Sequence, residues 1–88
     1  LLPVETDMER VLSRAWSDIF SMDVTQIGRN ASFFELGGNS ISAIYLIEKL
    51  RKERISSSVS TVFENPVLKY MALLCQKIEP KTPESGRG

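Results

Sequence analysis

The stretch that organises this sequence is Phe33-Phe34-Glu35-Leu36-Gly37-Gly38-Asn39-Ser40-Ile41. Its two glycines remove side chains just before a predicted helix, which would let another protein approach the backbone closely. Ser40 then stands at the helix start, where unpaired N–H groups and the positive end of the helix dipole would stabilise a phosphodiester on its oxygen. The residues alone leave two interpretations open. Either Ser40 is a modification site, or it caps the helix while Gly38 and Asn39 make a turn.

The residues on either side of this stretch favour helices. Upstream, Thr6 and Glu9 form a capping-box pattern, and apolar residues at helical spacing predict a first helix over about 7–20. Downstream, a second helix is predicted to begin at Ser40 and to run to about Glu53.

The loop between these helices, residues 21–39, is long for so small a domain. Such a connection is tolerated when its apolar side chains are anchored in the core. We therefore expect Phe33, Phe34 and Leu36 to be buried and the loop to be ordered.

The C-terminal half predicts two more helices. A short helical turn is expected over 60–64, with Val62 and Phe63 facing inward. Asn65 would then be the N-cap and Pro66 the first residue of a last helix that reaches about Ile78. No segment alternates with period two, so no strand is predicted. The predicted fold is all-α: a small four-helix bundle of three long helices and one short helix, with a long first loop.

The composition describes one soluble domain in a reducing compartment. Of the 88 residues, 42% are hydrophobic and 25% are charged, and eleven basic and eleven acidic side chains cancel. This balance gives no global reason to expect nucleic acid or a membrane as a partner. The single cysteine, Cys75, is expected in the core, and no segment has the ~20 apolar residues of a membrane span, so a cytoplasmic location is expected. We expect the folded domain to cover residues 1–79, with a linker or disordered tail over 80–88.

The sequence does not predict any catalytic activity for this chain. Without any histidine, neither a Ser-His-Asp triad nor a histidine-containing metal site can be built. The glycine pair matches no nucleotide-binding loop, and Ser40 lacks the second glycine of a nucleophile elbow. We therefore expect no catalytic residue and no metal site.

The stretch over 33–41 resembles the phosphopantetheine attachment motif of peptidyl carrier (thiolation) domains of nonribosomal peptide synthetases. That motif has a double aromatic, an acidic residue, Leu-Gly-Gly, a variable residue and then the modified serine. The region around Trp16 resembles the first helix of these domains, and residues 62–66 resemble their short third helix leading into the fourth. The resemblance implies that Ser40 carries 4′-phosphopantetheine covalently, with Gly38 and Asn39 in the flanking loop. Asn39 departs from the aspartate or histidine that usually precedes the serine, and Val67 stands where threonine is common.

The resemblance also implies a function and a set of partners. Such a domain catalyses nothing itself but holds aminoacyl or peptidyl intermediates as thioesters and shuttles them between partner domains. A separate phosphopantetheinyl transferase would install the arm from coenzyme A with magnesium. Adenylation, condensation and release or modifying domains of the same synthetase would then use it, with no nucleic acid or membrane involved.

The second helix has more apolar residues than one core-facing stripe can hold. At 3.6 residues per turn, one apolar group faces the bundle and a second lies on the side that carries Glu48, Arg51 and Lys52. We predict that this second group is a docking patch for partner domains beside the reactive serine. The alternative is that the first loop covers these residues as a second core. The predicted patch consists of Ile41, Ile44 and Tyr45.

Two other functions remain open. An acyl carrier protein of fatty acid or polyketide synthesis, or an aryl carrier, would share the arm and the bundle. Fatty acid carriers typically have an acidic second helix, whereas Lys49, Arg51, Lys52 and Arg54 here outnumber Glu48 and Glu53. That balance favours the peptidyl type. A helical adaptor that binds its partners non-covalently, with Ser40 as a simple cap, is the second alternative.

Overall fold

The computed structural model describes residues 2–78, and this part of the chain forms four α-helices around one core. The fold class predicted from the sequence, an all-α four-helix domain with a long first loop, is confirmed. The loop contains a short 3-10 turn at Val24–Gln26. The helices are α1 (Asp7–Phe20), α2 (Ser40–Lys52), α3 (Val59–Glu64) and α4 (Leu68–Leu74).

The first helix has the predicted bounds. Thr6 is its N-cap, and the Thr6 hydroxyl accepts a hydrogen bond from the Glu9 N–H at 3.0 Å. The helix ends where Ser21 adopts the left-handed conformation, with φ of 53°, and donates its N–H to the Ser17 carbonyl. This local geometry is the physical reason that capping and periodicity were sufficient to place α1.

The core collects side chains from every helix and from the first loop. Trp16 of α1 and Phe33 of the loop are fully buried and meet edge to face, with ring centroids 5.3 Å apart. Cys75 is buried as expected. The remaining buried apolar side chains are Leu12, Ala15, Ile27, Ala43, Leu46, Leu50, Ile55, Val62, Leu68, Met71 and Ala72.

The first loop is ordered, as predicted, because its backbone is paired with the segment between α3 and α4. The Phe33 N–H donates to the Pro66 carbonyl at 2.9 Å, and the Ala31 carbonyl accepts from the Leu68 N–H at 2.9 Å. Phe33 is buried as predicted, but the prediction is wrong for Phe34 and Leu36, which are only half-buried against the core. The end of the loop that leads into α2 therefore has a fixed position.

A buried ion pair that sequence analysis did not identify joins the loop to α1. Glu9 is 2% exposed, and its carboxylate accepts hydrogen bonds from Arg29 at 2.8 and 3.1 Å and from the Glu5 N–H at 2.8 Å. The bond from Arg29 outweighs the cost of burial and lowers the pKa of Glu9 from 4.5 to about 2. The carboxylate is thus ionised throughout the neutral range.

The last helix differs from its predicted extent at both ends. It begins at Leu68, two residues after Pro66, and Val67 is its N-cap without a side-chain hydrogen bond. Asn65 ends α3 instead, donating its N–H to the Thr61 carbonyl at 2.8 Å. The reason is tertiary, because Val67 must stay extended to form a bridge with Ser32 of the first loop.

The prediction that no strand is present is wrong. Strand β1 (Ile55–Ser56) pairs antiparallel with β2 (Gln76–Lys77), and α4 ends at Leu74 rather than at Ile78 to allow this. Strands of two residues are too short to show period-two alternation. The last helix has seven residues, so the bundle has two long helices rather than three.

The remaining predictions about chain organisation concern the termini and membranes. The predicted tail over 80–88, and its boundary at 79, lie outside the described residues. Within residues 2–78, no helix has the length and apolar character needed to cross a bilayer.

Candidate functional site at the start of the second helix

Ser40 is the first residue of α2, and it is exposed. The N-cap is Asn39, whose side-chain oxygen accepts the Ser42 N–H at 3.0 Å. In return, the Ser42 hydroxyl accepts the Asn39 N–H at 2.7 Å. The interpretation of Ser40 as a simple helix cap is therefore wrong, because Asn39 and Ser42 make the cap and the Ser40 hydroxyl takes no part in it.

The cap also decides which backbone donors remain at this helix end. A helix start leaves its first four N–H groups without intrahelical partners. Here the cap satisfies the N–H groups of Asn39 and Ser42. Those of Ser40 and Ile41 are the two that remain, and the first turn contains no acidic side chain to oppose the helix dipole. An anionic group on the Ser40 oxygen would be stabilised at this position.

The two glycines serve different physical purposes. Gly37 has φ of 109°, a backbone conformation that residues with a side chain rarely adopt. No other atom lies within 4 Å of the position that a Cβ on Gly37 would take. A Cβ on Gly38 would lie 2.6 Å from the Phe33 carbonyl oxygen and would overlap the Phe33 ring. The expectation that both glycines open the backbone to a partner is wrong for Gly38, because Phe33 occupies that space.

A chain of aromatic contacts holds the loop that precedes Ser40. The Phe33 ring packs against Phe20 at 5.0 Å and against Phe34 at 5.5 Å between centroids, in addition to its contact with Trp16. Phe34 in turn stacks on Phe63 of α3. The loop is thereby fixed to α1 on one side and to α3 on the other.

The predicted patch on α2 faces outward. Ile41, Ile44 and Tyr45 are 62%, 51% and 60% exposed, whereas Ala43, Leu46 and Leu50 on the other face are buried. The alternative in which the first loop covers these residues is wrong. An apolar strip therefore begins next to Ser40 and runs along the helix.

The second half of α2 is basic. Its last turns carry Lys49, Arg51 and Lys52 against Glu48, which gives the helix a net charge of plus two. Glu53 and Arg54 follow the helix rather than belonging to it. The Arg51 and Glu48 side chains form an ion pair at 3.5 Å.

Residues 2–78 do not form a metal site or a reactive cysteine site. No group of His, Cys, Asp and Glu residues there is arranged to hold a metal ion. Burial raises the pKa of the Cys75 thiol, which keeps it protonated and unreactive in the core.

Two residues near the site were not identified from the sequence. Ser42 lies three residues after Asn39, and this spacing is that of a capping box, so treating Asn39 as the N-cap would have predicted its role. Phe63 was expected to be buried, but it is 49% exposed beside Phe34. No local signal indicates that, since the exposure depends on how α3 packs.

Comparison with known proteins places this geometry among related domains. A family model described as "Phosphopantetheine attachment site" matches residues 10–75. The chain is 42% identical over 64 residues to the "Nonribosomal peptide synthetase TES" of Alternaria alternata and 40% identical over 79 residues to the "Malpibaldin synthetase" of Mortierella alpina. These alignments cover 73% and 88% of this chain but 1% of each relative. The chain thus spans about a hundredth of the length of these curated relatives.

Solved structures show the same arrangement of helices. A structure titled "Non Ribosomal PCP domain" superposes with a TM-score of 0.82 and 26% identity, over 90% of this chain and 100% of that chain. Another, titled "The crystal structure of holo T3CT", gives a TM-score of 0.78 and 31% identity, over 80% of this chain and 95% of that chain. These matches confirm the resemblance inferred from residues 33–41.

Proposed function

The chain belongs to the phosphopantetheine attachment family, and from that premise we propose that Ser40 carries the family's 4′-phosphopantetheine arm. The chain is a carrier domain of the peptidyl type. Its proposed role is to hold aminoacyl or peptidyl intermediates as thioesters on the arm and to shuttle them between the domains of a nonribosomal peptide synthetase.

The observation that carries this proposal is the position of the Ser40 hydroxyl. It is exposed at the start of α2 and takes no part in the cap that Asn39 and Ser42 form. The residues present fit the group, since a serine hydroxyl supplies the phosphodiester oxygen and the Ser40 and Ile41 N–H groups are available beside it. Gly37 leaves open space on the preceding turn.

The chain's part in loading is to present a nucleophile. The Ser40 Oγ attacks a phosphorus of the coenzyme A pyrophosphate, and a new P–O bond forms as the pyrophosphate linkage breaks. Adenosine 3′,5′-bisphosphate leaves with the electron pair. The serine proton passes to a base of the separate, magnesium-dependent transferase, since this chain has no histidine to accept it. Once attached, the arm supplies the thiol on which cargo is held.

Partner domains are proposed to dock on the exposed strip of α2. Ile41, Ile44 and Tyr45 form an apolar surface that starts at the serine, and Arg51 and Lys52 continue it with positive charge. Exposed apolar clusters of this kind mark protein interaction sites. The proposed partners are the transferase and the adenylation, condensation and release or modifying domains of the synthetase.

The proposal also includes the type of carrier, the lack of catalytic activity and the location of the domain. The named relatives and the net positive charge of α2 support a peptidyl rather than a fatty acid carrier. The domain is proposed to be non-catalytic, because the chain offers an attachment point but no histidine to act as a general base. Its proposed location is the cytoplasm, where the synthetase would have access to coenzyme A.

Intact-mass measurement tests the proposal. The purified domain is incubated with coenzyme A, magnesium and a promiscuous phosphopantetheinyl transferase, with omission of the transferase as control. A gain of one phosphopantetheine group per chain supports the carrier function. No gain would favour the non-covalent adaptor.

A further inference from the structure

We propose that Ser42 is a positioning residue for the loading of Ser40, because its side chain and that of Asn39 clamp the backbone on both sides of the reactive serine. This inference rests on the proposed function of Ser40 as the attachment point. Ser42 does not touch the incoming group; it acts through the backbone conformation that presents the Ser40 hydroxyl.

The geometry of the clamp is reciprocal. The Ser42 hydroxyl accepts the Asn39 N–H at 2.7 Å and donates to the Asn39 carbonyl at 3.0 Å, which one hydroxyl can do at the same time. The Asn39 side chain accepts the Ser42 N–H at 3.0 Å. These bonds close a ring around Ser40 and Ile41, so the φ and ψ angles that aim the Ser40 hydroxyl are restrained from both directions.

The starts of the other helices described between residues 2 and 78 lack this reciprocal pair. Thr6 and Ser58 each accept one backbone N–H at the starts of α1 and α3, at 3.0 and 3.1 Å, and α4 has no side-chain cap. Only α2 among them has the reciprocal pair. The reciprocal pair therefore distinguishes the helix start that carries the modifiable serine.

Restraint at this position bears on the rate of loading. Helix ends fray, and a frayed first turn would present the Ser40 hydroxyl in many orientations, of which the transferase can use few. Because the clamp holds the hydroxyl in one orientation, the hydroxyl is already ordered when the transferase binds. It also keeps the N–H groups of Ser40 and Ile41 directed out of the helix end, where the phosphodiester forms.

The test compares four variants with the wild type in coenzyme A-dependent loading, followed by intact mass. Ser42→Ala removes the hydroxyl, and we expect kcat/KM for the carrier domain to fall about fivefold, the effect of losing a typical cap, with the KM for coenzyme A unchanged. Ser42→Thr retains a hydroxyl and Asn39→Asp retains an acceptor, so both are expected to load at close to the wild-type rate.

The matched control is Thr6→Ala, which removes a cap of similar strength from α1. It is expected to lower the melting temperature as much as Ser42→Ala does while leaving loading unchanged. Amide hydrogen exchange gives a second readout, with faster exchange of the Asn39 N–H in Ser42→Ala and not in Ser42→Thr.

Loading of Ser42→Ala at the wild-type rate would overturn the inference, and so would equal slowing in Thr6→Ala, which would trace the effect to general stability. Failure of the wild type itself to be loaded would instead overturn the proposed function.

Discussion

The ring of Phe34 stacks on the ring of Phe63, with centroids 4.9 Å apart and planes inclined by 27°. One ring belongs to the loop that leads to Ser40, and the other lies on α3 with half of its surface exposed. The pair therefore connects the approach to the site with the third helix. It does so at the protein surface rather than in the core.

This position sets the expected cost of truncating each aromatic in the loop. Phe33→Ala should lower the free energy of unfolding by ~3 to 5 kcal/mol, because its ring is fully buried against Trp16 and Phe20. Phe34→Ala should cost only roughly 1 to 2 kcal/mol, because its ring is half-buried and its stacking partner is exposed. Urea unfolding of both variants measures the difference. Equal costs would show that Phe34 is as much a core residue as Phe33.

The Glu9–Arg29 pair should make stability depend on pH. Folding lowers the pKa of Glu9 from 4.5 to about 2. The contribution of its carboxylate to the free energy of unfolding is therefore complete above pH 4.5 and is lost as the pH falls towards 2. Glu9→Gln should cost roughly 3 kcal/mol at neutral pH, the lower end for a buried pair because Arg29 is partly exposed.

Urea unfolding at several pH values between about 6 and about 3 measures this effect. The difference in the free energy of unfolding between wild type and Glu9→Gln is expected to become smaller as the pH falls. Asp7→Asn is the control, since Asp7 forms an exposed ion pair with Arg10 at 2.9 Å and should leave a small gap throughout. If the difference in the free energy of unfolding between wild type and Glu9→Gln stayed constant with pH, the proposed contribution of the ion pair to stability would be contradicted.

Ile44→Lys should remain folded but lose transfer of cargo to and from the arm, because Ile44 is half exposed in the centre of the proposed docking strip. The matched control is Leu73→Lys on α4, which changes a more exposed apolar side chain on a different helix. Circular dichroism reports folding, and loading of the arm by an adenylation domain from a nonribosomal peptide synthetase reports docking. A folded Ile44→Lys variant with full transfer would remove this residue from the interface, and an unfolded one would assign it to the core.

The features that sequence analysis predicted correctly are those set by local interactions. The bounds of α1 followed from the Thr6 cap and apolar periodicity, and the start of α2 followed from the glycine pair. The exposure of Ile41, Ile44 and Tyr45 followed from the number of apolar residues on one helix. Each depends on residues within a few turns of one another.

Apart from the local cap that Asn39 and Ser42 form, the features that were missed depend on contacts between distant segments. The bridge between Ser32 and Val67 delays the start of α4, and the pairing of Ile55–Ser56 with Gln76–Lys77 ends it early. The partnership of Glu9 with Arg29 joins residues twenty positions apart. No local pattern specifies such pairs, because they form only when the helices assemble.

The role of Ser40 is tested most directly by locating the modification. Wild type and Ser40→Ala are incubated with coenzyme A, magnesium and a promiscuous transferase, and intact mass is followed by fragmentation of the peptide that contains residues 33–41. Circular dichroism should show both proteins folded, because the cap of α2 is made by Asn39 and Ser42 and survives the substitution. The account predicts one phosphopantetheine group on Ser40 of the wild type and none on the alanine variant. A folded Ser40→Ala domain that still gains the group would contradict it.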